Sequence, residues 1–229
     1  MSSHPLDNPI WLALSTTQAR FAKSNHLACK FPKEVSLLGG FAEATRDSYD
    51  AMASLLEAGE RVGLFLPGPP GAPSNWSVVL SIPLLQMIGE GESSLSQLPV
   101  EFARLGDADV PEMLALTKLT KPGPFGTRTH EMGDYFGIRS EGKLVAMAGE
   151  RLHVPGYTEV SAVCTHPEHI GHGYAAGLMS QVMRGIRRRA EQAFLHVRPE
   201  NERAIALYAR LGFTKRTMLH YAILQGREG

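Results

Sequence analysis

The chain has 229 residues, with 23 Lys plus Arg balanced by 23 Asp plus Glu. That length accommodates one large domain or two modest ones around an ample core. The zero formal charge argues against nucleic acid as a partner. A hydrophobic content of 43% with no apolar run of bilayer length argues against a membrane partner. The two cysteines, Cys29 and Cys164, lie in unlike contexts far apart in sequence. They point to a reducing compartment rather than a disulfide framework. The first residues lack the basic and apolar stretches of a secretory signal, so the expectation is a cytoplasmic protein.

Residues 1–60 read as mainly helical. Segments 10–22 and 41–58 mix polar and apolar residues at helical spacing, with Tyr49, Met52, Ala53 and Leu56 on one face and Gly59 as a stop. Residues 61–66 form a short apolar run bounded by turn formers and read as a strand. Residues 67–73 are rich in Gly and Pro and form a loop, and residues 76–82 read as another strand. The polar, Gly/Ser-rich stretch 89–94 is the best linker. It divides the chain near position 96 into an N-terminal region (1–96) with no interpretable chemical motif and a second domain (97–229).

After that boundary the elements alternate. Residues 100–105 read as a strand. Asp107 or Asp109 is placed to cap a helix running through Leu119, with Pro111 early and Glu112 in its first turn. Residues 121–129 hold two prolines and two glycines and form a loop. Residues 135–140 and 143–153 read as a hairpin turning at Glu141-Gly142, and 158–165 as a further strand ended by Pro167. Over residues 173–190, Ala175, Leu178, Met179, Val182 and Ile186 lie on one stripe of an amphipathic helix. A strand at 193–197, a helix at 201–211 stopped by Gly212 and a strand at 218–224 complete the pattern. The order β-α-β-β-β-α-β-α-β predicts an α/β sheet with helices packed on it.

The chemistry concentrates in residues 159–175, where a strand, a proline turn and a glycine-rich turn lead into a helix. A glycine turn entering a helix presents backbone N–H groups that have no helical acceptor, and the positive helix end adds a field that favours an anion. Glycines let a ligand come close to the backbone. The pattern therefore predicts a phosphate or pyrophosphate site. Gly171-x-Gly173-x-x-Ala176 also fits a loose dinucleotide fingerprint. Against that, the turn follows a hairpin rather than a first βαβ unit, and the position about 20 residues on is a helix end, not a strand tip.

The run Ile170-Gly171-His172-Gly173-Tyr174-Ala175 resembles the Gln/Arg-x-x-Gly-x-Gly/Ala signature of the GNAT N-acetyltransferase superfamily. The later run Asn201-x-x-Ala204-x-x-Leu207-Tyr208, followed by Gly212-Phe213, resembles that superfamily's second motif. The two occur in the right order with the expected strand between them. The resemblance covers roughly residues 97–225 and looks closest to the FR-type branch related to glycine N-acyltransferase C-terminal domains. Ile170 departs from the Gln or Arg of the signature.

The resemblance implies a mixed, largely antiparallel α+β sheet flanked by helices, and acetyl transfer from acetyl-CoA to a primary amine carried by a small molecule or peptide. No metal is implied. Backbone groups of Val163, Cys164 and Thr165 would pair with the pantetheine arm. The N–H groups of Ile170, Gly171, His172, Gly173, Tyr174, Ala175 and Ala176 would cradle the pyrophosphate. Asn201 would lie beside the pantetheine, Tyr208 would protonate the departing thiolate, and Glu159 stands where some members carry a general base. The chemistry asks for such groups independently: an ammonium must lose a proton before attack, the tetrahedral oxyanion needs a donor and the thiolate needs a proton.

Each residue also has a plainer reading. Tyr208 shares a stripe with Ala204, Leu207 and Leu211 and suits a half-buried core position. Glu159 alternates with Ser161 and Val163 and suits a solvent-facing strand position, with Glu150 or water as the rival base. Cys164 is a nucleophile in a two-step route or a small core residue. His166, His169 and His172 straddle two turns, which weighs against a metal site. Arg184, Arg187, Arg188 and Arg189 either meet a cofactor phosphate or solvate a helix end. Two other function classes stay open: an acyl-CoA-binding regulatory module without catalysis, and an interaction protein whose glycine turn is structural. The acceptor amine and the oligomeric state, a homodimer included, are not encoded in any motif.

Overall fold

A computed structural model describes residues 4–90 and 100–226. Pro9 pre-sets the backbone for the first helix, α1 (Pro9–Ser15). The predicted continuation to residue 22 does not form. The Ser15 hydroxyl folds back on the Trp11 carbonyl at 2.7 Å and that of Thr16 on the Leu12 carbonyl, an alternative pairing that weakens propagation. A single 3-10 turn, Ala19–Phe21, follows. The described residues up to 60 are also not mainly helical. Three strands, β1 (Lys23–Ser24), β2 (Ala28–Lys30) and β3 (Gly39–Phe41), pair into a small antiparallel sheet. Strands of two or three residues are too short to show a period. The next helix, α2 (Arg46–Leu55), begins later than predicted because the Thr45 hydroxyl caps it, accepting from the Ser48 N–H at 3.2 Å.

The main sheet is built from β4 (Arg61–Leu66), β5 (Trp76–Gly89), β6 (Ala103–Leu105), β7 (Tyr135–Ser140), β8 (Lys143–Val154), β9 (Tyr157–Thr165), β10 (Gln192–Val197) and β11 (Phe213–Gly226). Its order is β4-β11-β5-β10-β9-β8-β7-β6. Every neighbouring pair is antiparallel except β9 and β10, which run parallel. The result is a mixed α+β fold with a largely antiparallel sheet, as expected. Strand β5, from before position 96, lies between β10 and β11, so the sequence division near 96 does not divide the sheet. Most of the linker stretch lies outside the described residues.

Three further helices lie among the described residues: α3 (Val110–Thr120), α4 (Tyr174–Arg188) and α5 (Glu202–Arg210). Asp109 does not cap α3. Its carboxylate turns back to accept from the Gly106 N–H at 2.9 Å, closing a 3-10 turn over Asp107–Asp109. The apolar stripe of α4 packs Leu178, Met179, Val182 and Ile186 on Val160, Leu195 and Phe213 of the sheet. On the other face, Leu6, Ile10 and Leu14 pack with Leu152, Phe194 and Tyr221. Each such buried side chain contributes roughly 1.5–3 kcal/mol relative to exposure. The fit is tight at Gly149, where an added Cβ would run into the ring of the fully buried Tyr135. Gly149→Ala is therefore expected to cost about 1–3 kcal/mol, read as a lower urea midpoint at unchanged slope.

Candidate functional site

The parallel strands β9 and β10 are in register at Gln192/Tyr157, Ala193/Thr158 and Phe194/Glu159, and the pairing ends there. Past that point the strands diverge. On β9 the register against β8 slips by one residue between Ser161 and Cys164, and Ala162 takes a left-handed φ of 53°. This is a β-bulge, which leaves backbone unpaired and re-aims the strand. Nothing in the sequence announces it, since the left-handed residue is an alanine rather than a glycine. The bulge sits directly before Val163, Cys164 and Thr165, which line one wall of a cleft of about 1430 Å³.

The glycine turn forms the next wall. Gly171 (φ 97°) and Gly173 (φ 76°) are both left-handed, a conformation that glycine adopts without strain. Gly173 opens α4 with no side-chain cap on the first turn. The first-turn N–H groups therefore keep their donor capacity, reinforced by the positive end of a 15-residue helix. Ile170, Gly171, Gly173, Tyr174, Ala175 and Ala176 all line the cleft. His172 does not. Its ring stacks on Tyr174 at 5.4 Å and its Nδ1–H donates to the His169 carbonyl at 3.1 Å. Ile170 projects half-exposed (49%) at the mouth, apolar where the motif has a polar residue.

The third wall is α5. Asn201 caps this helix, its Oδ1 accepting from the Ala204 N–H at 3.1 Å, and it also faces the cleft. Tyr208 lines the cleft and packs its ring 6.1 Å from Phe213. Burial pushes its phenol up to about 12, so it stays protonated and able to donate. Burial also pushes the Cys164 thiol up to about 11, which suppresses the thiolate a nucleophile needs. Of the arginines singled out in sequence, Arg184, Arg187 and Arg188 line the cleft. Arg189 turns away to bind Glu150 at 2.8 Å and Glu191 at 3.2 Å. Arg203 and Arg210, and the apolar Val100 and Phe102, are cleft residues that the sequence did not single out. Among the described residues, no group of three or more His, Cys, Asp or Glu is placed to hold a metal.

Glu159 lies elsewhere. It is neither solvent-facing nor on the cleft, being 1% exposed on the opposite face of the sheet. Arg151 grips both oxygens, Nε to Oε2 at 2.8 Å and Nη2 to Oε1 at 2.6 Å, and His196 Nδ1 donates to Oε1 at 2.6 Å. Burial alone would raise this carboxyl, but Arg151 and the hydrogen bonds outweigh it and hold the group down at about 2. The rival, Glu150, is likewise buried and held by Arg189, and its Oε2 accepts from the Asp134 N–H at 3.3 Å. The solvent-facing reading of Glu159 fails because alternation gives the face a residue takes but not what covers that face. Here the cover is the N-terminal segment, which has no motif. Arg151 and His196 escape a sequence reading for the same reason: the only hint is charge inside otherwise apolar strands.

Comparison with known proteins agrees with this fold. The family model described as FR47-like protein matches residues 135–222, from β7 into β11. A GNAT-family protein of Novosphingobium aromaticivorans is 36% identical, superposes with a TM-score of 0.91, and aligns over 99% of this chain and 100% of its own. A GCN5-related N-acetyltransferase of Kribbella flavida shares the fold at 18% identity, with a TM-score of 0.66 and 96% of each chain covered. No curated protein matches the chain by sequence.

Proposed function

Since the chain belongs to the GNAT family of acetyltransferases, we propose that it moves an acetyl group from acetyl-CoA to a primary amine by direct transfer in a ternary complex. The observation that carries this reading is the convergence of three unlike features on one cleft: the bulged arm of β9, the uncapped glycine turn of α4 and the phenol of Tyr208. The turn supplies donors for a pyrophosphate, and the arm beside the bulge supplies backbone for a pantetheine. Val163 or Cys164, just past the bulge, would offer a backbone N–H to the oxyanion. Tyr208 supplies the proton for the leaving thiolate.

The protonation states favour one step over two. A thiol held near 11 does not compete as a nucleophile at neutral pH. A carboxylate held near 2 by an arginine is a poor base for an ammonium. Glu159 therefore takes a positioning role, and the amine's proton leaves through water in the open cleft. Peptide and small-molecule amines both fit the proposal.

The test is thermal stability with and without acetyl-CoA, with NADH and ATP as controls. At 100 times Kd the ligand adds about 2.7 kcal/mol, which raises the midpoint by roughly 5–10 °C for a chain of this size. A shift with acetyl-CoA alone supports the assignment and justifies an acceptor screen by CoA release. A shift without amine-dependent release would favour a non-catalytic acyl-CoA-binding module, and no shift at millimolar acetyl-CoA would overturn both.

A further inference from the structure

A continuous line of side-chain hydrogen bonds runs from the N-terminal segment to the point where β9 and β10 part. Its first link is an irregularity in β11. The register against β5 passes from Lys215/Met87 to Thr217/Gln86, which leaves Arg216 as the unpaired residue of a bulge. Freed from the ladder, Arg216 pairs with Asp7 and donates from Nη1 to Gln86 Oε1 at 2.7 Å. Gln86 is fully buried and donates from Nε2 to the Leu6 carbonyl at 3.0 Å.

These two bonds fix the orientation of the amide, because a guanidinium only donates and a carbonyl only accepts. Gln86 Nε2, facing His196 Nε2 at 3.0 Å, therefore donates to it. His196 Nε2 must then be the bare nitrogen, and Nδ1 carries the proton given to Glu159 Oε1 at 2.6 Å. The rings of Phe65, at 4.4 Å, and Phe194, at 5.7 Å, pack the imidazole and offer it no competing acceptor.

The last bond of this line lies at a decisive place. Phe194 and Glu159 are the final registered pair of β9 and β10, and His196 is two residues further along β10 on the same face. The His196–Glu159 bond thus spans the first step at which the backbones no longer hold each other. We infer that Asp7, Arg216 and Gln86 lock His196 as its Nδ1–H tautomer, and that this lock makes His196 and Glu159 a clasp setting the spacing of the two arms of the transfer cleft. All five are positioning residues. They act through the backbone of Val163–Thr165 on one arm and Val197 on the other. The functional half of the inference rests on the acetyltransferase reading; the tautomer half does not.

The test uses the full chain labelled with ¹⁵N-histidine. Two-bond ¹H–¹⁵N correlations assign the His196 tautomer, with Arg216→Met, Arg216→Lys and the milder surface change Asp7→Asn as variants. The expected result is a single Nδ1–H form in the parent and in Arg216→Lys. Arg216→Met should show a second tautomer, with Asp7→Asn in the same direction to a smaller extent. With acetyl-CoA and an accepted amine, Arg216→Met should lower kcat about tenfold with KM for acetyl-CoA within twofold, and Arg216→Lys should restore most of it. A parent that is Nε2–H or doubly protonated overturns the lock. A changed tautomer with unchanged kcat overturns the positioning role. If Arg216→Met does not fold, Asp7→Asn decides both points in the same way. Because the tautomer is read without acetyl-CoA, failure of the lock is separate from failure of the acetyltransferase reading, which would appear as absence of the thermal response.

Discussion

Tyr208→Phe is expected to lower kcat by about 10²–10⁴ while leaving KM for acetyl-CoA within a few-fold. The substitution removes one oxygen and keeps the ring, which packs against Phe213 and is fixed by α5, so cleft shape and cofactor contacts persist. What disappears is the proton for the thiolate as it leaves. The ionisation of this phenol gives the prediction a pH signature. Burial raises it from 10.0 to about 12, so the donor form persists at neutral pH and falls away only as the pH approaches 12. The parent should show no alkaline loss of activity attributable to Tyr208 below that range. Steady-state kinetics of the two proteins between pH 7 and 10 checks both points. A loss of less than about threefold would remove Tyr208 from the chemistry and leave it as a wall of the cleft.

The cleft is more legible in sequence than the fold around it, for reasons that individual residues make plain. Gly171 and Gly173 are readable because left-handed backbone at a helix entrance demands glycine, so the local conformation is written in the residue type. Asn201 and Tyr208 are legible only through the resemblance of their motif to the family's, because helical spacing alone reads Tyr208 as a half-buried core residue. Ala162 adopts a comparable left-handed φ with a side chain that gives no sign of it, so the bulge that opens the cleft is invisible. The long strands escape differently. Residues 76–82 read as a strand, but β5 runs on to Gly89 and enters the sheet between β10 and β11. Its pairing partners lie more than a hundred residues away, beyond the reach of any local pattern. The short strands β1 to β3 exist because neighbours hold them rather than because their sequence prefers extension. The solvent-facing reading of Glu159 fails on context alone: alternation places the carboxylate on a face but does not show the arginine and histidine that close over it.

The stability of that clasp leads to the second large effect. Arg151→Met is expected to destabilise the protein by about 3–5 kcal/mol at pH 7, because it strands a buried charge instead of merely deleting a contact. Methionine keeps most of the arginine's length and its apolar stem, so packing beside Phe65 is largely preserved and the electrostatic loss dominates. The pair Arg151→Met with Glu159→Gln should recover much of the loss, since the charge is then gone as well. The sign of the pH effect follows from the direction of the Glu159 shift. Its folded-state ionisation is depressed from 4.5 to about 2, so the stability it contributes is fully present above about 4.5 and disappears as the pH falls towards 2. Without Arg151 the depression is lost and burial dominates, so the carboxyl takes up a proton at higher pH and the stranded charge is neutralised. The gap between parent and Arg151→Met should therefore be widest near neutrality and shrink as the pH falls through 4. Urea unfolding at pH 7 and at pH 4 measures both ends of that interval. A cost below about 1 kcal/mol at pH 7, or a gap that does not narrow in acid, would mean that Glu159 finds another partner when Arg151 is removed.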